Sequence, residues 1–154
     1  MTDIDLQVKS ALYSLCEAYV QQRVNTAKEA MQAAQESANT EEKSSAGDKY
    51  ETGRAMAQLE RDRHAQLLAE AKKLDQELAR INVDKTYESV QPGSLVITNR
   101  GAFFISISAG KLTLEGADYF AISPASPIGA VLTGKKSGDT VVFNKLSYQI
   151  VKVL

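Results

Sequence analysis

The sequence predicts an α+β fold, in which a long antiparallel α-helical coiled-coil hairpin is followed by a small antiparallel β-sheet domain with one short helix. Three observations predict it. Residues 1–81 contain no proline and only two glycines, whereas the rest of the chain contains three prolines and seven glycines. Apolar residues of the first part recur in steps of three and four, as in a coiled-coil seam. Those of the second part form short runs rich in β-branched and aromatic residues.

The N-terminal part predicts two long helices that pack along narrow apolar seams. Its abundance of Ala, Gln, Glu, Lys and Leu is typical of long helices. The expected seam residues are Val8, Leu12, Leu15 and Tyr19, then, after a shift of about one residue, Val24, Ala27, Met31, Ala34 and Ala38, and in the second helix Leu67, Ala71, Leu74, Leu78 and Ile81. The pattern lapses at residues 44–47, so we expect the chain to fold back there. This predicts a hairpin domain over residues 1–82, with its tip at about residues 43–51.

The predicted tip has the sequence SSAGDKYETGRA, in which the second helix restarts. Asp48 and Glu51 fit a capping box, with Asp48 as the N-cap residue and Glu51 three positions later. Negative charge at this end of a helix is also favoured by the helix dipole. The same spacing places both carboxylates on one side of the first turn, where they could bind a metal ion. Capping and metal binding both remain open, because one carboxylate has enough acceptor positions for both.

Residues 87–154 predict the sheet domain. The runs GSLVITN and AFFISIS are expected as strands joined by a turn at residues 99–101. KLTLEG and YFAIS are further strand candidates, and TVVFN with SYQIVKVL should form a last hairpin. SPIGAVLTG predicts the short helix, with Ser126 as N-cap, Pro127 at the first helical position and Gly134 just past the end.

Strand periodicity also bears on the two adjacent phenylalanines of this domain. Phe103 and Phe104 should point to opposite faces of the sheet. We therefore expect one of them in the core and the other on a docking surface.

Composition excludes several function classes. The net charge is −1 and the sequence pI is about 5.9, which gives no general reason to expect binding to bare nucleic acid. With one cysteine, Cys16, and one histidine, His64, a Cys/His zinc site within one chain is not available. No apolar run is long enough for a membrane span, and the acidic N-terminus is unlike a signal peptide. We expect a cytoplasmic protein without a membrane partner.

Two stretches resemble the Gre family of bacterial transcript cleavage factors. ISPASPIGAVLTGKKSGDTVVF, followed by YQIVKV, is similar to the family's C-terminal run of Ile-Ser, Ser-Pro, a short apolar helix ending in Gly-Lys, a Gly-Asp turn and a last strand. At the tip, Gly47, Asp48 and Glu51 match the family's Gly-Asp-x-x-Glu. The chain departs from the family pattern at Thr52, where Asn is usual, and at Ala125, where an acidic residue is usual.

This resemblance implies a mechanism in which the chain is no enzyme by itself. The C-terminal domain would dock on RNA polymerase, and the hairpin would enter the polymerase secondary channel. Asp48 and Glu51 would help the polymerase hold a catalytic magnesium ion, so that backtracked nascent RNA is cut in the polymerase active site. The residues implied to contact the polymerase are Ser123, Ser126, Pro127 and Ile128. Lys43, Lys49 and Arg54 flank the tip and would lie near the RNA.

Two other functions remain open. The chain could be a Gre-like channel binder that regulates RNA polymerase without promoting cleavage. Alternatively, the C-terminal domain, which resembles the FK506-binding fold in outline, could be a peptidyl-prolyl isomerase or a peptide-binding module on a helical stalk.

Overall fold

The computed structural model describes residues 2–44 and 48–154, including the side chains of residues 5–40 and 53–154. The helices are α1 (Thr2–Ser44), α2 (Asp48–Ala79) and α3 (Pro127–Leu132). The strands are β1 (Leu95–Thr98), β2 (Gly101–Ile105), β3 (Gly110–Leu114), β4 (Ala117–Ile122), β5 (Thr140–Phe143) and β6 (Leu146–Val153). A long helical region thus precedes a six-stranded sheet with one short helix, and the predicted α+β class is confirmed.

Local turn chemistry forms three hairpins, of which β1–β2 and β5–β6 were expected. β1 pairs with β2 in antiparallel register, for example Val96 with Phe103. The β5–β6 hairpin reverses at Asn144 and Lys145, whose φ angles of 51° and 65° fit the type I′ turn that joins twisted strands. Glu115 and the glycine after it give β3–β4 the same kind of reversal. These strand predictions are therefore confirmed.

The sheet is mixed, which corrects the expected antiparallel arrangement. Its strand order is β3-β4-β2-β1-β6-β5, and β2 pairs with β4 in parallel, from Ala102 opposite Tyr119 to Ile105 opposite Ile122. The reason is that β3 lies at the edge, outside β4. The chain therefore crosses from β2 to the edge before β4 returns beside β2, and a parallel pair needs such a crossover.

Contacts divide the chain into two compact units. One contains residues 1–19 and 76–154, and the other contains residues 20–75. The sequence-derived limits of 1–82 and 87–154 follow a change of composition and stay a prediction. The two compact units are defined by contacts instead, and one of them groups the first turns of α1 and the end of α2 with the sheet.

The unit that contains the sheet buries large apolar side chains on both faces of the sheet. Val96, Phe103, Leu132 and Ile150 belong to one buried cluster, to which α3 contributes Leu132. Phe104 points to the opposite face and is fully buried as well. The expectation that one of the two phenylalanines is exposed on a docking surface is wrong, because elements of the same unit cover both faces.

Mainly small side chains fill the buried stripe in the unit of residues 20–75. The buried residues there include Val20, Ala27, Ala34, Ala57 and Ala71. The Arg61 guanidinium donates a hydrogen bond of 3.0 Å to Gln35 Oε1, which joins α2 to α1. This bond is compatible with antiparallel pairing of the helices.

One expected seam residue of α2 lies outside the stripe. Leu67 is 45% exposed, so its assignment to the seam is wrong. Ala57, Ala71 and Leu78 are buried and are separated from one another by multiples of seven residues, so they share one heptad position. Leu67 does not occupy that position. Steps of three and four back from Ala71 reach both Leu68 and Leu67, so spacing alone did not choose between them.

Candidate functional site

The loop that enters α3 contains the residues expected to contact RNA polymerase. Ser126 caps α3: its Oγ accepts a hydrogen bond of 3.1 Å from Gly129 N, and Pro127 follows at the start of the helix. Ser126 Oγ also donates a hydrogen bond of 2.6 Å to Ser123 O. Ser123 Oγ accepts one of 3.0 Å from Ala125 N. The predicted cap is confirmed, and the loop is fixed by its own hydroxyl groups.

Gly129 makes this loop compact. A Cβ atom at Gly129 would lie 2.1 Å from Ser123 O and 2.8 Å from Ser126 Oγ. No side chain fits there, because contacts below about 3 Å force atoms to shift. The first turn of α3 therefore packs directly against the loop backbone, and only glycine permits this approach.

The loop presents a small surface of mixed character. Ala125 and Pro127 are exposed, whereas Ser123 and Ser126 are partly buried. Ile128 is also partly buried, and it packs against the apolar cluster that includes Leu132. The structure thus brings Ser123, Ser126, Pro127 and Ile128 together at one end of α3, with one member anchored in the core.

An exposed aromatic residue in β4 was missed by the sequence reasoning. Phe120 is 38% exposed, and its ring centroid lies 5.9 Å from that of buried Phe103. Tyr148 also contacts Phe103, with ring centroids 6.1 Å apart, and the Arg100 guanidinium lies 5.8 Å from the centroid of the Tyr148 ring. The parallel register of β2 and β4 places Phe120 opposite Phe103. This register cannot be deduced from the sequence, so no sequence signal pointed to Phe120.

The residues expected at the tip are described only in part. The backbone places Lys43 in α1, and α2 begins at Asp48, with Lys49 and Glu51 in its first turns. The side chains of these four residues lie outside the described residues, so their roles in metal and RNA binding stay predictions. Arg54 is described and is an exposed residue of α2. Among the described residues, no three His, Cys, Asp or Glu side chains form a metal-binding group.

Lys9 is a functional candidate that periodicity gave no reason to select. It is fully buried in α1, and its Nζ donates hydrogen bonds of 2.6 Å to Lys85 O and 3.3 Å to Leu154 O. The ammonium also lies 4.7 Å from the centroid of the Tyr87 ring. Burial, and then repulsion from Lys85, lowers the pKa of Lys9 to about 8. Burial also raises the pKa of Tyr87.

No protein-family model, curated protein or solved structure matches the chain. In the part of the chain that the structure describes, none of the helices combines the length and the apolar character needed to cross a membrane.

Proposed function

We propose that the chain is a cytoplasmic transcription elongation factor of the Gre type, which binds RNA polymerase at its secondary channel and stimulates cleavage of backtracked nascent RNA. The observation that carries the proposal is the loop at residues 123–128. Its sequence has the family's Ser-Pro pattern, and its hydrogen bonds hold Pro127 at the surface. A loop already fixed in one conformation loses little entropy on binding, which favours a docking role.

The tip would supply the chemistry. α2 begins at Asp48, and Glu51 follows three residues later, so both Cα atoms lie on one side of the first turn. Two carboxylates there could share a magnesium ion with the polymerase, since magnesium commonly takes one or two carboxylates together with water and phosphate oxygens. Lys43, Lys49 and Arg54 would then lie near the RNA phosphates. The chain would be an activator of the polymerase and not an enzyme by itself.

Cleavage in a stalled, backtracked complex of RNA polymerase from the same organism tests the proposal. The chain should increase the rate of RNA cleavage, and Asp48→Asn or Glu51→Gln should remove most of that increase while leaving polymerase binding intact. Excess magnesium should partly restore cleavage. Glu60→Gln is the matched control, because Glu60 is an exposed carboxylate of α2 away from the tip. Equal cleavage by all four proteins would contradict a role for the tip carboxylates.

Docking is tested separately by binding to polymerase without measuring cleavage. Pro127→Glu places a charge on the exposed start of α3, and we expect polymerase binding at least about tenfold weaker, as for residues central to an interface. Lys111→Glu, on the edge strand β3, should bind as the unchanged chain does. Unaltered affinity of Pro127→Glu would assign docking to another surface.

A Gre-like binder without cleavage activity is the second candidate, and two departures from the family pattern favour it. Thr52 replaces the usual Asn beside the tip carboxylate, and the acidic residue before Ser126 is replaced by Ala125, which is exposed. If the chain binds polymerase but does not stimulate cleavage, Thr52→Asn is the first variant to examine. The peptidyl-prolyl isomerase alternative stays a prediction, which a peptide isomerisation assay tests.

A further inference from the structure

The strand β5 forms one edge of the sheet and pairs with β6 in antiparallel register. Ile150 N donates a hydrogen bond of 2.8 Å to Asp139 O, so these two residues form a hydrogen-bonded pair. Because antiparallel pairs alternate between hydrogen-bonded and non-hydrogen-bonded types, Val141 also bonds to β6, whereas the N–H and C=O groups of Thr140 and Val142 point away from it. Among the described residues, these four outward groups have no hydrogen-bond partner.

The side chains of the β5–β6 hairpin add an apolar surface at this open edge. Within the described part of the sheet-containing unit, the exposed large apolar side chains are Phe120, Val142, Leu146 and Val151, and the last three lie in β5 or β6. Lysine and proline commonly protect edge strands from pairing with another chain. β5 contains neither, whereas β3, at the opposite edge of the sheet, contains Lys111. β5 is therefore the edge that is open to a further strand.

The charges at the two ends of β5 are complementary under a two-fold rotation. Asp139 precedes the strand and Lys145 follows it in the turn, and both residues are exposed. Neither side chain forms an ion pair with another residue that the structure describes. When two β5 strands lie antiparallel, the start of each is beside the end of the other, so each aspartate approaches a lysine of the other copy. The edge is therefore self-complementary in charge, which favours a second copy of this chain as its partner.

We infer that two copies of the chain associate through antiparallel pairing of their β5 strands about a two-fold axis at Val141. In this register Thr140 of each copy is opposite Val142 of the other, so the four outward backbone groups of each strand are all paired. The exposed Val142 side chain then packs beside Thr140 of the other copy, as a β-branched cross-strand pair. Because the contact involves few residues of each copy, we expect a dissociation constant on the order of 0.1 mM. The inference goes beyond the proposed role in transcription and does not depend on it.

The mass of the full chain in solution, measured over a range of concentrations, tests the association. Sedimentation equilibrium between about 10 µM and about 1 mM should show a reversible monomer–dimer equilibrium, since this range brackets the expected dissociation constant. At high concentration, amide hydrogen exchange should slow at Thr140 and Val142, whose N–H groups become bonded, and should stay unchanged at Val141, which already bonds to β6. A monomer throughout this range would overturn the inference, even if β5 bound a strand of another protein.

Variants of exposed residues test the position of the contact. Val142→Lys brings two lysines close together across the axis and should weaken dimerisation at least about tenfold. Val151→Lys is the matched control, because Val151 is a comparably exposed valine of β6 outside the paired edge. Lys145→Glu places a glutamate beside Asp139 of the other copy and should weaken dimerisation about threefold, whereas Lys111→Glu in β3 should not. Equal weakening by Val142→Lys and Val151→Lys would contradict the inference, as would a dimer that neither Val142→Lys nor Lys145→Glu weakens.

Discussion

The unit of residues 20–75 and the unit that contains the sheet bury very different side chains. Alanines such as Ala34 and Ala71 account for most of the buried stripe in the first, whereas the second buries Phe104, Ile105 and Leu132 completely. Stabilisation by burial scales with apolar area, at roughly 25 cal/mol per Å², so each buried position of the helical pair contributes less. The helices depend more on intrinsic helix propensity. The sheet-containing unit is therefore the better support for a docking loop.

The largest expected effect comes from the core of the sheet. Phe104→Ala should lower the free energy of unfolding of its unit by about 3–5 kcal/mol, because it leaves a cavity at a fully buried site. Met56→Ala, at a residue of α2 that is 63% exposed, should change it by less than about 0.5 kcal/mol. Denaturant unfolding, monitored by amide hydrogen exchange in β2 and in α2, checks both expected changes. Similar losses in both variants would remove the contrast between the units.

Burial disfavours the charged form of Lys9, so the sheet-containing unit should become more stable as the pH rises and Lys9 loses its proton. Its pKa of about 8 in the folded chain lies below 10.5, the ordinary pKa of a lysine side chain. Between pH 8 and 10.5 the unfolded chain therefore binds more protons than the folded chain, and stability rises with pH by at most about 3 kcal/mol. Below pH 8 both states are protonated, and this contribution is constant.

Lys9→Met isolates this contribution, because it keeps an unbranched apolar stem and removes the titrating group. The difference in unfolding free energy between the unchanged chain and Lys9→Met, measured at several pH values, should grow in favour of the unchanged chain between pH 8 and 10.5. A flat difference would show that the ammonium is well solvated in the folded state.

Gly129→Ala tests whether the loop at residues 123–128 is held as rigidly as the apolar core beneath it. The new Cβ would overlap Ser123 O, and we expect a loss of about 1–3 kcal/mol, as for overpacked sites. Amide chemical shifts of Ser123 and Ser126 should move, and polymerase binding should weaken. Gly134→Ala is the control: its φ of 84° is strained for alanine, but no atom lies near the new Cβ. If Gly134→Ala displaced the loop amides equally, the close approach would not be what holds the loop.

The smallest effect is expected in the helical pair. Arg61→Ala removes the hydrogen bond to Gln35 at an arginine that is 43% exposed, and should cost less than about 0.5 kcal/mol. Double-mutant analysis with Gln35→Ala measures the coupling of the two residues. A coupling above about 1 kcal/mol would mean that polar contacts, and not only alanine packing, hold these helices together.

Features encoded within a few residues were predictable from the sequence. The α3 cap at Ser126 and Pro127 is a local arrangement that followed from residue chemistry, and the β5–β6 hairpin followed from two neighbouring β-rich runs. The four residues expected to contact the polymerase also lie together, because they are close in sequence. Lys9 could not have been selected in this way, since its partner Leu154 is 145 positions away.

The sequence by itself determined the element types, their order, and the strong change in character between the helical and β parts. Its periodicities of two and of three to four residues report which face of an element is apolar, because side-chain direction repeats with backbone geometry. Only the tertiary structure decided the parallel pairing of β2 with β4, the burial of both Phe103 and Phe104, and the enclosure of Lys9. These depend on which distant segment covers each face. Periodicity carries no information about the identity of that segment, since many segments could bury the same apolar surface.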